Sequence, residues 1–171
     1  MAKKKKKEGA EEKGGGKELK IVTIPAVREE EVLRSDRAMS LLYLIDKIGP
    51  VHEKTLHHII AMLKEEYGAD LGYTIRKIGT RPYSPELKTD VTMLLYVGFV
   101  EKEPGIYKRL RITGKGKDVL EKRKPPAVVI NVLEAHFEPI KNKASMLDSA
   151  ENAEIRRLRR MMERRRRGPI L

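Results

Sequence analysis

A helix start followed directly by paired strands, between residues 83 and 113, most restricts what this chain can fold into. The stretch reads YSPELKTDVTMLLYVGFVEKEPGIYKRLRIT. Ser84 is a favoured N-cap, and Pro85 suits the first helical position because its missing N–H would have no intrahelical partner there. Gly98 ends the helical pattern, and the residues after it alternate as paired strands do, with a turn at Pro104 and Gly105. The pattern therefore predicts a helix that leads into a β-hairpin.

The two faces of this helix have different chemistry. Its predicted inward stripe is Leu87, Val91, Leu94 and Leu95, which repeat at helical spacing. The outward face would then consist of Glu86, Lys88, Thr89, Asp90, Thr92 and Tyr96. Carboxylates are repelled by phosphates, and helices that read bases usually present Arg, Lys, Asn or Gln. The face therefore does not indicate strong sequence-specific reading, and phosphate contact is the better prediction.

Two further helices are expected before this segment. Ser35 is the predicted N-cap of the first, which Gly49 ends, and the second stops at Gly68 after a very short strand near Val51. Residues 69–83 contain three Gly or Pro positions and are predicted to form a loop or a partly ordered connector.

The remaining elements are expected after the hairpin, in which Ile106, Leu110 and Ile112 would face inward. A helix should follow Thr113, and an apolar helical segment should follow two prolines and extend to Ile140. A final arginine-rich helix is predicted from near Ser149. This order fits one α+β domain.

The order of elements resembles the winged helix-turn-helix. YSPELKTDVTMLLYVGFVEKE resembles its third helix and first wing strand. YKRLRITGKGKDVLEK is similar to the second wing strand and following helix of PadR-like and MarR-like regulators, with matching residues at Ile112, Thr113, Gly116, Leu120 and Glu121. The resemblance covers residues 35–124, but the connector before the third helix is longer than the usual turn.

The resemblance implies a domain division and a way of binding. Residues 21–124 would form a winged helix-turn-helix core, and residues 125–171 would form additional C-terminal helices where PadR-like proteins carry a dimerisation element. Residues 84–98 would be the recognition helix, and the hairpin would be the wing. A homodimer without a cofactor is the implied assembly.

Cations on both sides of the third helix extend the predicted DNA contact. The alternative is a solvated surface in a charge-rich protein. The predicted DNA-binding residues are Arg76, Lys77, Arg81, Lys88, Thr89, Thr92, Tyr96, Tyr107, Lys108, Arg109 and Arg111.

The C-terminal run RRLRRMMERRRR has three interpretations. It could pack through Ile155, Leu158 and Met162, bind nucleic-acid phosphates as a basic arm, or lie on a membrane surface, for which it lacks aromatic anchors. The predicted arm residues are Arg156, Arg157, Arg159, Arg160, Arg164, Arg165, Arg166 and Arg167.

The charge balance favours a polyanionic partner, because the formal net charge is +12. Residues 1–20 carry eight Lys against four Glu with no hydrophobic periodicity, which predicts a disordered basic tail. This tail could be merely solubilising or could contact phosphates. Gln is absent and charged residues are abundant, as in hyperthermophile proteins, so we expect a thermophilic source. The winged-helix resemblance adds the expectation that the source is archaeal.

No catalytic or metal-binding pattern stands out. The chain has no Cys, and its four His, at 52, 57, 58 and 136, lack metal-ligand spacing, so they are predicted to be structural. No apolar run is long enough to span a bilayer, which predicts a cytoplasmic protein. We therefore expect neither an enzyme, nor a metal site, nor a cofactor.

Two functions remain open. The first is a DNA-binding winged-helix protein, either a transcriptional regulator or a chromosome-associated factor, that contacts double-stranded DNA. The second is a protein-interaction or ribonucleoprotein adaptor whose basic tails bind RNA or an acidic partner.

Overall fold

The computed structural model describes residues 28–166, so the predicted tail (1–20), the first residues of the predicted core (21–27) and Arg167 lie outside the described residues. Within 28–166 the chain is α+β and mostly helical, with seven helices and two small antiparallel sheets. The helices are α1 (Glu29–Arg34), α2 (Asp36–Ile48), α3 (Glu53–Glu66), α4 (Pro85–Tyr96), α5 (Gly114–Lys122), α6 (Ala127–Ala135) and α7 (Phe137–Arg166). The strands are β1 (Arg76–Ile78), β2 (Arg81–Tyr83), β3 (Val100–Lys102) and β4 (Leu110–Ile112).

The core is built around α2 and α3, whose apolar faces are fully buried. Ser35 caps α2, because its hydroxyl accepts a hydrogen bond from the N–H of Ala38 at 3.2 Å. Gly49 ends α2 with a φ of 87°, which a residue with a Cβ rarely adopts. Both ends of α2 confirm the prediction.

The predicted helix that leads into a hairpin is also confirmed. The hydroxyl of Ser84 accepts from the N–H of Leu87 at 3.3 Å, and Pro85 is the first residue of α4. β3 then pairs with β4, and Val51 exchanges two backbone hydrogen bonds with Leu110 at the other side of β4. The second strand is shorter than predicted, because Ile106 lies outside it and is 42% exposed instead of facing inward.

The connector at residues 69–83 contains a β-hairpin that the sequence analysis did not resolve. β1 pairs with β2 through a turn at Gly79, and β2 packs against α3. Leu71 and Tyr73 are buried and anchor the preceding loop to the core. The connector is therefore ordered, although its first strand is wholly exposed.

The prediction of a separate arginine-rich helix from Ser149 is wrong. α7 is one helix of 30 residues that begins at Phe137 and runs through Ser149 without a break, while the apolar segment expected to extend to Ile140 is divided at His136 between α6 and α7. Ile140, Ala144 and Asp148 are buried at four-residue spacing, so one stripe of α7 packs on the core. All of residues 156–166 are exposed. No helix within residues 28–166 is long and apolar enough to cross a membrane.

Candidate nucleic-acid interface

The exposed face of α4 carries fewer carboxylates than the sequence pattern predicted. Asp90 was expected to point outward, but it is 0% exposed. Asp90 lies on the side of α4 that faces α2, and an ion pair with Arg37 compensates the burial of its charge. Of the residues predicted to face outward, Lys88, Thr89, Thr92 and Tyr96 are exposed.

Asp90 is the centre of a buried polar cluster. Arg37 of α2 approaches its carboxylate with two nitrogens, Nε at 2.7 Å and Nη2 at 3.1 Å. The Tyr73 hydroxyl donates to the same carboxylate at 2.9 Å. The pKa of Tyr73 is raised, mainly by burial and then by the charge of Asp90, and the hydrogen bond to Asp90 raises the pKa of Arg37. This cluster, here called the Asp90 clasp, fixes α4 to α2 and to the loop before β1.

One carboxylate remains on the outer side of α4. Glu86 is half-buried and accepts a hydrogen bond from the Ser84 hydroxyl at 2.8 Å. Hydrogen bonds to its own backbone N–H and to Ser84 lower the pKa of Glu86. It is therefore anchored at the first turn, and the rest of the exposed face is neutral or cationic.

The arginines of the hairpin β3–β4 are paired within the hairpin. Arg109 Nε lies 2.9 Å from Glu103, and Arg111 Nε lies 2.8 Å from Glu101, the residue directly opposite it in the register. Cross-strand pairs of opposite charge stabilise a hairpin and lower the net charge it presents. The outer face of this hairpin is thus less basic than its arginines suggest.

The lysines at this end of the molecule are different. Within residues 28–166, the ammonium groups of Lys88, Lys102 and Lys108 have no hydrogen-bond or ion-pair partner, and all three side chains are exposed. The same holds for Arg76 and Lys77 on β1. These cations remain available for phosphates.

Three grooves meet at Lys54, in the first turn of α3. The first, about 290 Å³, lies between α3, β2 and the start of α4, and Arg81 and Lys88 line it. The second, about 290 Å³, lies between α3 and the hairpin β3–β4, and Lys102 and Lys108 line it. The third, about 280 Å³, lies between α3, the turn of hairpin β1–β2 and α7. These connected grooves, here called the Lys54 face, are lined by five cations, and Glu53 lines the first two of them as well.

Carboxylates of α7 border this face. Glu151 pairs with Lys54 at 2.5 Å, and Glu154 pairs with Arg81 at 3.4 Å. One turn earlier, buried Asp148 accepts hydrogen bonds from the backbone N–H of His52 at 3.1 Å and from the Thr55 hydroxyl at 2.5 Å. α7 thus supplies the cap of α3 and compensates two of the five cations.

His57 has a structural role, as predicted for the histidines. Its Nδ1 accepts a hydrogen bond from the N–H of Ser84 at 3.1 Å and so joins α3 to the start of α4. Burial, together with the charges of His58 and Lys88, lowers the pKa of His57 to about 4. The ring is therefore neutral near pH 7, as its acceptor role requires. No group of His, Asp or Glu side chains within residues 28–166 could hold a metal ion.

The sequence-predicted residues are thus distributed over several surfaces. Arg81, Lys88 and Lys108 line the Lys54 face, whereas Arg109 and Arg111 are held in ion pairs on the hairpin. Lys54 and Lys102 were missed, because no local pattern separates them from the many other lysines. Tyr107 is half-buried, and the arm residues between 156 and 166 are all exposed.

A separate cavity of about 460 Å³ lies among α2, α5 and α6. Lys117, Lys124 and Glu134 are among its lining residues, and it shares no residue with the three grooves at Lys54.

No protein-family profile, curated protein or solved structure matches this chain.

Proposed function

We propose that this protein binds double-stranded DNA through the Lys54 face. The observation that carries the proposal is the convergence of Lys54, Arg81, Lys88, Lys102 and Lys108 from four different elements on these connected grooves. Clustered cations on one face are the electrostatic footprint of a nucleic-acid-binding protein.

We further propose that the core is a winged helix-turn-helix. α2, the Val51 bridge, α3, α4 and the hairpin β3–β4 occur in the order of that fold, with the hairpin β1–β2 inserted between α3 and α4. In this arrangement α4 is the recognition helix and hairpin β3–β4 is the wing. The Asp90 clasp supports the assignment, because it fixes the orientation of α4 and turns Lys88, Thr89 and Thr92 outward.

Phosphate contact dominates the proposed binding mode. Lys88, Lys102 and Lys108 can each reach a phosphate without breaking an ion pair within residues 28–166. The hydroxyls of Thr89 and Thr92 donate to the carbonyls of Pro85 and Lys88, which leaves only their acceptor lone pairs for base edges. Sequence discrimination should therefore be modest, which suits a chromosome-associated factor better than a highly selective regulator.

The test compares two double variants of equal charge change. Lys88→Ala/Lys108→Ala removes two cations of the Lys54 face, whereas Lys117→Ala/Lys124→Ala removes two from the separate cavity. Fluorescence anisotropy with a labelled duplex at several salt concentrations measures the affinity and its salt slope. Each phosphate contact contributes about 0.9 to that slope, so the first variant should lower it by nearly 2 and the control should leave it unchanged.

Two results would reject the proposal: no duplex binding at low salt by the full chain, or equal losses in the two variants. The same titration at stoichiometric concentrations also gives the number of chains per duplex. It therefore tests the homodimer that the winged-helix resemblance implies.

The second candidate function is a ribonucleoprotein adaptor. Its supporting observation is the arginine-rich end of α7, which is fully exposed and combines arginines with exposed Leu158, Met161 and Met162. Competition between duplex DNA and folded RNA of matched length separates the two functions. Preferential displacement by RNA would favour the adaptor.

A further inference from the structure

The last part of α7 leaves the core beside the Lys54 face. Glu151 and Glu154 are its last residues with ion-pair contacts to α3 and β2. Two residues later, at Arg156, the helix becomes exposed on all sides and remains so to Arg166. This arginine-rich end of α7 (residues 156–166) therefore begins at the border of the proposed DNA-binding surface.

The charges along α7 change sign at this border. The residues that hold the helix to α3 and β2 are acidic, namely Asp148, Glu151 and Glu154. Those beyond them are arginines, and within residues 28–166 Arg159 alone among them is paired, with Glu163 at 3.2 Å. The carboxylates attach the helix to the protein, while the guanidinium groups other than that of Arg159 remain free for an external anion.

The arginines also lie mainly on one side of the helix. With about 100° between successive residues, Arg156, Arg157, Arg159, Arg160 and Arg164 fall within one half of the circumference. The opposite half carries Leu158, Met161 and Met162 together with Arg165 and Arg166, and Glu163 lies on the arginine side. One cationic side suits a single extended polyanion. A second copy of the same helix is disfavoured as the binding partner, because the arginines of the two helices would repel each other.

The length of this segment can be compared with DNA. A helix rises about 1.5 Å per residue, so the distance from Glu154 to Arg166 is about 18 Å. At about 3.4 Å between phosphates along a strand, this corresponds to about five base pairs. The segment could therefore follow the backbone next to the part of the duplex that the Lys54 face covers.

We infer that the arginine-rich end of α7 is a second contact surface for the same duplex, which lengthens the binding site by about five base pairs through phosphate contacts. This inference rests on the proposed function of the Lys54 face. It assigns the arginine side of residues 156–166 to flanking DNA, and the apolar side of the same segment takes no part in the contact.

The test uses the full chain and duplexes of increasing length. The variant Arg156→Gln/Arg157→Gln/Arg160→Gln/Arg164→Gln removes charge and keeps good helix formers, while Leu158→Gln/Met161→Gln/Met162→Gln changes the apolar side. Anisotropy titrations give the affinity, the salt slope and the length beyond which affinity stops rising steeply. Circular dichroism confirms that both variants remain folded.

The arginine variant should have a salt slope lower by about 3.6 on long duplexes, and its limiting length should be shorter by about five base pairs. On duplexes just long enough for the core, it should bind as the unaltered chain does. The apolar-side variant should match the unaltered chain at every length.

Three results would overturn the inference. An unchanged slope and limiting length would refute it while the Lys54 face still binds. Loss of all binding at every length, with the Lys88→Ala/Lys108→Ala variant unaffected, would refute both this inference and the proposed function. Stronger binding of matched single-stranded RNA, lost only in the arginine variant, would assign this segment to RNA instead.

Discussion

The Asp90 clasp gives the sharpest test of the fold around α4, because its central residue looks like a surface residue in the sequence. Replacing Asp90 by Ala removes the carboxylate that receives two guanidinium nitrogens and the Tyr73 hydroxyl. Breaking a buried ion pair from one side costs about 3–5 kcal/mol, because the remaining charge loses its partner. The Arg37 side chain is 35% exposed, so water would compensate part of the loss. We therefore expect a loss of about 3 kcal/mol in the free energy of unfolding.

Urea denaturation followed by far-ultraviolet circular dichroism measures this loss. The series contains Asp90→Ala, Arg37→Ala, the double variant and Glu86→Ala, which removes a carboxylate from the outer side of the same helix. The double variant should be less destabilised than the sum of the single variants, with a coupling energy of about 1–3 kcal/mol. Glu86→Ala removes the hydrogen bond from the Ser84 hydroxyl, so it should cost about 0.5–1.5 kcal/mol, less than Asp90→Ala.

The comparison with Glu86→Ala decides the outcome. If Asp90→Ala destabilises the protein no more than Glu86→Ala does, or if Arg37 and Asp90 show no coupling, the clasp does not hold α4. The orientation of the proposed recognition helix would then have to come from apolar contacts alone.

Two further predictions concern stability. The pKa of His57 is lowered from 6.5 to about 4, so the unfolded chain binds more protons than the folded chain between these pH values. The free energy of unfolding should therefore fall by up to about 3 kcal/mol as the pH drops from 6.5 towards 4. Urea midpoints measured in a pH series should depend less on pH in His57→Gln than in the unaltered chain, and an equal dependence would contradict the assignment. Gly116→Ala should destabilise α5 by at least about 1–3 kcal/mol, because its Cβ would lie 2.3 Å from the backbone oxygen of Phe99. Gly114→Ala in the same helix has open space and should stabilise by up to about 1 kcal/mol, and thermal denaturation that ranks the two the other way would refute the packing at Gly116.

The elements that sequence reasoning located correctly depend on local chemistry. Ser35 and Ser84 bind N–H groups three residues away, and Gly49 and Gly98 adopt positive φ at the ends of the core segments. Such signals are complete within a few residues, so they can be read without knowing the tertiary structure.

The failures depend on partners that are distant in the chain. Asp90 is turned inward by Arg37, 53 residues before it, which no periodicity of α4 could reveal. Around Ser149, the acidic and polar residues resemble a new helix start, yet Asp148 instead caps α3 from 96 residues away. The residues that suggested a helix start at Ser149 thus lie inside one continuous helix, and Asp148 among them makes a tertiary contact.

In the candidate site, the sequence likewise could not show which cations are unpaired. Sequence reasoning placed Arg109 and Arg111 among the predicted DNA-binding residues, but the register of β3 and β4 places Glu101 opposite Arg111. Lys54 and Lys102 belong to the candidate site because α3 and the hairpin β3–β4 form the two sides of one groove, which only the tertiary structure shows. Which cations remain available is a property of strand register and helix packing, so composition alone could not supply it.

Pairing, more than net charge, therefore determines where this protein can bind an anion. On the Lys54 face, α7 compensates Lys54 and Arg81 through Glu151 and Glu154, while Lys88, Lys102 and Lys108 keep their charge free within residues 28–166. Exposed ion pairs contribute little to stability and are weakened by salt, so phosphates could compete for the two compensated cations at small cost. Asp148 is different, because it is buried and holds the start of α3. DNA binding could thus recruit Lys54 and Arg81 without detaching α7, since the contact that anchors the helix lies one turn away from the pairs that a phosphate would replace.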